Sequence, residues 1–175
     1  MDGVLVNSEP LHVASERQVC RERGISIPFS EWRHFQGKTD ADIFGYIVSN
    51  FTDGSTHPNQ LIEHKRRLFM AKVHTIELID GSGKFVRLAK EHFQKIAVAT
   101  SSGRDYLNVV LGDIHGLQRL FDVIVTRESV RYAKPDPEPY LLAAEKLGMA
   151  PAECYVIEDS ENGICSGLSA GCSVI

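Results

Sequence analysis

The chain has 175 residues, 43% hydrophobic and 24% charged, with a formal net charge of -4 and an isoelectric point near 6.0. That is apolar material for one sizeable core, or a core with a small inserted domain, and it leaves no basic surplus for nucleic acid or anionic lipid. No apolar run reaches bilayer length, no secretory leader follows Met1, and Cys20, Cys154, Cys165 and Cys172 show neither C-x-x-C nor metal-finger spacing, so a reduced, cytoplasmic monomer is expected.

The chain opens on Asp2-Gly3 and an apolar run, and by itself Asp2 reads as a turn acid. From about Ser8 to Asp80 strand-like runs vanish and helical periodicity takes over. Ser8 is placed to cap a helix with Pro10 in its first turn, Asp40 to cap a helix carrying Ile43, Phe44 and Ile47, and Leu61, Ile62, Leu68, Phe69 and Val73 mark a long helix. Breaks fall at Gly24, Pro28, Gly54 and Pro58.

After Asp80 short β-branched runs alternate with helices. The predicted strands are 95–99, 121–125, 154–158 and 173–175. Between them lie a helix with Phe85, Leu88 and Ala89 on its face, and another with Tyr140, Leu141, Ala144 and Leu147, closed by Gly148. Such alternation predicts a doubly wound parallel α/β sheet carrying an inserted all-helical domain, with 1–8 and 80–175 as core and 9–79 as insert. Ligands of such sheets sit beyond the carboxyl ends of the strands, where the polar clusters at 100–104, 134 and 158–160 all fall.

Each cluster carries a chemical reading beside a bland one. Thr100, Ser101, Ser102, Gly103 and Arg104 form a hydroxyl- and amide-rich turn able to cradle phosphate oxygens, or an ordinary helix cap. Lys134 is framed by Pro135, Pro137 and Pro139, so a rigid backbone presents its ammonium, although most lysines are simply solvated. Glu158 and Asp159 are hard oxygen ligands suited to Mg²⁺, or acids at a helix N-terminus.

In this order and spacing, "DGVLVNSEPLH", "VATSSGR", "AKPDPEPY" and "VIEDSENGICSGLSAG" resemble the four motifs of the haloacid dehalogenase-like phosphatase superfamily, in its branch similar to β-phosphoglucomutase and small sugar phosphatases. The resemblance implies a Rossmann-like core with a helical cap that closes to exclude water, Mg²⁺ as cofactor and a small phosphate ester as substrate. It assigns Asp2 as general acid and, through its carbonyl, metal ligand; Thr100 as phosphoryl-binding hydroxyl; Lys134 as the bridging cation; Glu158 and Asp159 as metal ligands. It assigns substrate contact to His12, Gly37, Lys38 and Thr39 and to residues 101–104. The family's attacking aspartate would stand one position before Met1, at the end of a central strand. The expectation is therefore a start upstream of Met1, and a C-terminal end beyond Ile175, with a shortened, inactive binding module as the competing reading. The segment 35–40 lacks the lysine and arginine pattern of a sugar phosphomutase, so hydrolysis of sugar phosphates is expected before isomerisation. The acids at 158 and 159 argue against carbon–halogen cleavage.

Overall fold

The computed structural model describes residues 1–35 and 38–175. The chain divides into two compact units, Met1–Ser8 with His74–Ile175, and Glu9–Val73.

The helical unit is built on three helices, α1 (Glu9–Glu22), α2 (Asp40–Phe51) and α3 (Pro58–Ala71). Pro58 opens α3, where its missing N–H costs nothing. The apolar stripes meet in a core of Val19, Cys20, Phe35, Ile43, Phe44, Ile47 and Leu61. Phe44, Ile47 and Leu61 are wholly buried, each worth about 1.5–3 kcal/mol relative to exposure. Burial pushes the Cys20 thiol up to about 12, so it packs as a small apolar group. Thr39, not Asp40, caps α2: its hydroxyl accepts from the Asp42 amide at 3.2 Å. Asp40 is the first helical residue, and its carboxylate goes instead to Lys65, 2.6 Å away.

In the other unit β1 (Val6–Asn7) and β2 (Glu77–Leu78) form an antiparallel ribbon, Val6 opposite Leu78. No sequence signal marked β2, a two-residue strand inside the stretch predicted helical. Then come α4 (Ser82–His92), β3 (Ala97–Ala99), α5 (Arg104–Leu107) running into a π-helical stretch at Asn108–Ile114, β4 (Val123–Val125), α6 (Glu138–Leu147), β5 (Tyr155–Val156), α7 (Glu161–Ser169) and β6 (Ser173–Val174).

β3 pairs parallel with β4, Val98 opposite Ile124, and β5 parallel with β6, Val156 opposite Val174. The predicted α/β alternation is present, but among the described residues the parallel strands form two separate pairs rather than one continuous sheet. Helix α6 ties them together: it packs on β3, β4 and α7, and Tyr140 shares a buried cluster with Val156, Ala170 and Cys172, against which Ala99 also packs. Both predicted faces are met in part. In α4 Ala89 is buried, with Val86, while Phe85 and Leu88 are 48% and 42% exposed; in α6 Tyr140, Ala144 and Leu147 are buried as predicted, with Ala143, while Leu141 is 42% exposed. The outward residues sit on flanks of the apolar stripe, where a 3.6-residue period leaves side chains half covered.

No helix among the described residues is long and apolar enough to cross a membrane.

Candidate active site

The carboxyl ends of β3 and β5 gather the polar residues. Asp2 is gripped by three hydroxyls: its Oδ1 accepts from Ser8 at 2.7 Å and from Tyr106 at 2.8 Å, and its Oδ2 accepts from Ser102 at 2.8 Å. Burial first, then the Asp2 charge, pushes the Tyr106 phenol well up, so it stays a donor. The turn after Asp2 requires glycine twice over. Gly3 has φ of 72°, and a Cβ there would stand 1.7 Å from Asp159 Oδ2. Gly3→Ala is expected to cost about 1 kcal/mol from the backbone alone and to displace the Asp159 carboxylate. Thermal unfolding together with Mg²⁺ titration checks both.

Beyond β3, Thr100 is 6% exposed and its Oγ1 accepts from the Ser102 amide at 3.1 Å. Ser101 is exposed. Gly103 precedes α5, and the Arg104 amide donates to Glu128 Oε2 at 3.1 Å. One of the amides near Thr100 is thus already engaged by a carboxylate.

Lys134 reaches both sheets. Its ammonium donates to the Ala99 carbonyl at 3.2 Å, to the Tyr140 hydroxyl at 2.9 Å and to Glu158 Oε1. Tyr140 also donates to Glu158 Oε1, at 2.6 Å, and Ser160 donates its hydroxyl to Oε2 at 3.0 Å. Burial raises the Glu158 carboxyl, but the Lys134 and Tyr140 hydrogen bonds and the lysine charge outweigh it and bring it down to about 2. A Cβ on Gly163 would lie 2.0 Å from Glu158 Oε2, so glycine is what lets α7 start against this carboxylate.

The donor chemistry here fits Mg²⁺. Asp159 is exposed, and its carboxylate lies against Gly3, offering a hard anionic oxygen of the kind the ion takes while commonly keeping several waters. Both Glu158 oxygens accept hydrogen bonds, Oε1 from Lys134 and Tyr140 and Oε2 from Ser160, so this second acid is also the partner of Lys134.

In the helical unit His12 stacks on Phe69, ring centroids 4.3 Å apart, and its Nδ1 is 2.7 Å from Lys65 Nζ. An ammonium only donates, so that nitrogen is the acceptor. Ligand atoms of His12, Glu16 and Asp40 lie close enough together to suggest a metal site. The cation among them is Lys65, buried, 2.6 Å from Asp40 and 3.8 Å from Glu16. Lys38 borders a cavity of about 300 Å³ with His34, Phe35, Asp42 and Tyr46. The Thr39 hydroxyl donates to Asp42 Oδ2 at 2.7 Å besides capping α2, which occupies it structurally. Gly37 lies outside the described residues.

A family model described as haloacid dehalogenase-like hydrolase matches residues 1–175. The chain belongs to that family. Within this family it is 56% identical to hexitol phosphatase A of Escherichia coli K12 over 186 aligned positions, covering 100% of the chain and 79% of that protein. It is 29% identical to the phosphorylated carbohydrates phosphatase of Thermotoga maritima, over 98% of the chain and 79% of that protein. The crystal structure of a family IA, variant 3 hydrolase from Entamoeba histolytica superposes with a TM-score of 0.84 at 28% identity, covering 99% of the chain and 79% of that structure. The family's fold, a Rossmann-like α/β core with a helical cap, is the fold of this chain.

Sequence reasoning missed Ser8 and Tyr106 as partners of Asp2, and Tyr140 as the hinge between Lys134 and Glu158. Tyr140 was legible only as a helix-face residue. Tyr106 carried no signal, because a tyrosine in a short helix looks like packing until its hydroxyl is seen to reach a carboxylate 104 positions away.

Proposed function

We propose that the chain hydrolyses small phosphomonoesters, with hexitol phosphates and related sugar phosphates as substrates, acting with an attacking carboxylate at the position before Met1. The observation that carries this reading is the convergence of Asp2, Thr100, Lys134 and Asp159 at the carboxyl ends of β3 and β5. Relatives acting on hexitol and carbohydrate phosphates supply the substrate class.

Held by three hydroxyls, Asp2 can protonate the leaving oxygen and then take a proton from the water that hydrolyses the aspartyl phosphate. Thr100 and the turn after it orient the phosphoryl group. Lys134, fixed by Ala99 and Tyr140, balances charge passing between phosphoryl oxygens and the attacking carboxylate. Asp159 and the Asp2 carbonyl would hold Mg²⁺, which neutralises phosphoryl charge when bound. The segment 35–40 lacks the lysine and arginine pattern of a sugar phosphomutase, which supports hydrolysis over phosphomutation.

Phosphate release from hexitol phosphates tests this, using the chain extended by an apolar strand that ends in Asp directly before Met1. Activity is expected with Mg²⁺, lost in chelator, and absent when the added residue is Asn. An Asp-ended form inert across a broad panel of phosphomonoesters, or an Asn-ended form equally active, would overturn the reading.

A further inference from the structure

The β5–β6 pairing brings two cysteines side by side. Tyr155 lies opposite Ser173 and Val156 opposite Val174, and the Ser173 amide donates to the Cys154 carbonyl at 3.0 Å, so Cys154 and Cys172 are the next lateral neighbours toward the amino ends of the strands. Side chains alternate between the two faces of a strand. Tyr155, Ile157, Ser173 and Ile175 take the exposed face, while Cys154, Val156, Cys172 and Val174 pack in one cluster with Tyr140 and Ala170. Both thiols therefore point to the same inner face, and both are free. They also lie within electrostatic reach: burial first, then the Cys154 charge, raises the Cys172 thiol.

Lateral neighbours in a sheet are about 4.7–4.9 Å apart. A disulfide draws its Cβ atoms to about 3.5–4.5 Å, whereas two thiolates on opposite sides of one ion, each about 2.3 Å from it, hold their sulfurs about 4.6 Å apart. The strand spacing suits the ion. Among the described residues no third histidine, cysteine or carboxylate ligand atom forms a set with the pair within 4.8 Å. Zinc, which takes four ligands, and hard cations, which take oxygen, are poorly served by two sulfurs alone. A soft ion that accepts two thiolates is the matching occupant.

We propose that Cys154 and Cys172 form a two-sulfur site for a soft monovalent metal ion of the copper(I) class, which clamps β6 onto β5, the strand that ends at Glu158. Binding breaks two S–H bonds and forms two metal–sulfur bonds; two protons leave, the metal keeps its oxidation state, and the bis-thiolate carries one negative charge. Cys154 is the entry side, because it is partly exposed and its thiol donates only a long bond, 3.5 Å, to the Ala150 carbonyl. Cys172, 7% exposed, is the inner ligand. Burial raises both thiols, so their protons stay until the metal displaces them, and uptake strengthens as pH rises. The site is independent of the phosphatase reading.

The probe is copper(I), presented anaerobically to the full chain as its bicinchoninate complex, whose colour is lost on transfer. One equivalent per chain is expected to transfer, more completely at pH 8 than at pH 6. Cys154→Ser and Cys172→Ser should each weaken binding at least about tenfold, and Cys165→Ser, which alters an exposed thiol outside the cluster, should not. Cys172→Ser also removes a core group, so amide exchange of the unaltered chain supplies a second reading. Copper(I) should slow the Ser173 amide, which crosses from β6 to β5, at least about tenfold, and leave the Thr100 amide, which crosses from β3 to β4, unchanged. No transfer at one equivalent, transfer undiminished in Cys154→Ser, transfer lost in Cys165→Ser, equal retention of zinc(II), or no slowing at Ser173 would each overturn the site.

Discussion

Lys134→Met in the hydrolytically competent form is expected to lower phosphate release by about 10³-fold and to destabilise the protein by about 3–5 kcal/mol. The two losses have different causes. The first follows from removing a positive charge held at the reacting group. The second follows from burial: the Lys134 and Glu158 side chains are 8% and 6% exposed, and methionine leaves the carboxylate with only hydroxyl and amide donors in a site that penalises an uncompensated charge. The double variant Lys134→Met with Glu158→Gln should therefore regain most of the stability and none of the rate. The pH dependence provides a further check. With its carboxyl brought from the usual 4.5 down to about 2, Glu158 contributes stability that is present above 4.5 and lost as pH falls toward 2. Removing Lys134 should erase that acid-side contribution, which denaturant titrations between pH 3 and 7 would resolve. A single variant as stable as the parent, or a double variant that hydrolyses normally, contradicts this account.

Lys134 also shows what the sequence could disclose. Three prolines around one lysine announce a rigid presentation, and strands ending in hydroxyls or acids announce a shared end, so Asp2, Thr100, Lys134 and Asp159 were legible before any coordinates. Their partners were not. Ser8 and Tyr106 reach Asp2 through the fold rather than through spacing, and Glu158, one of two adjacent acids, could not be told from Asp159 until Lys134 and Tyr140 were seen to engage it. Thr39 and Asp40 are neighbouring residues that both suit an N-cap. Asp40 loses that role to a lysine 25 positions away, which no local signal could reveal. The strand pairs were visible as β-branched runs, but their separation into two sheets depends on which edges find partners, a tertiary fact.

The Asp40–Lys65 contact belongs to a cluster with its own expected behaviour. Glu16 is 5% exposed, 3.8 Å from the Lys65 ammonium, with Asp40, Glu9 and His12 as the other titratable groups around it. Burial raises its carboxyl from 4.5 to about 7; Lys65 opposes the shift, while Asp40 and Glu9 add to it. The folded state therefore holds this proton more tightly than the unfolded chain. Stability is highest where Glu16 is protonated, falls as pH rises from 4.5 through 7, and above that carries a cost of about 3 kcal/mol, the worth of a shift of roughly 2.5 units. Glu16→Gln keeps the shape and a hydrogen-bonding side chain without the charge, and Lys65 still has Asp40 at 2.6 Å to balance it. The variant should match the parent below about pH 4 and exceed it by about 3 kcal/mol at pH 8.5. The only tryptophan of the chain, Trp32, packs edge-on against Phe35 in the same helical unit, so its fluorescence during urea unfolding reports on that unit. Parallel pH profiles for parent and variant would show that the Glu16 carboxyl stays ionised in the fold and that Lys65 fully compensates it.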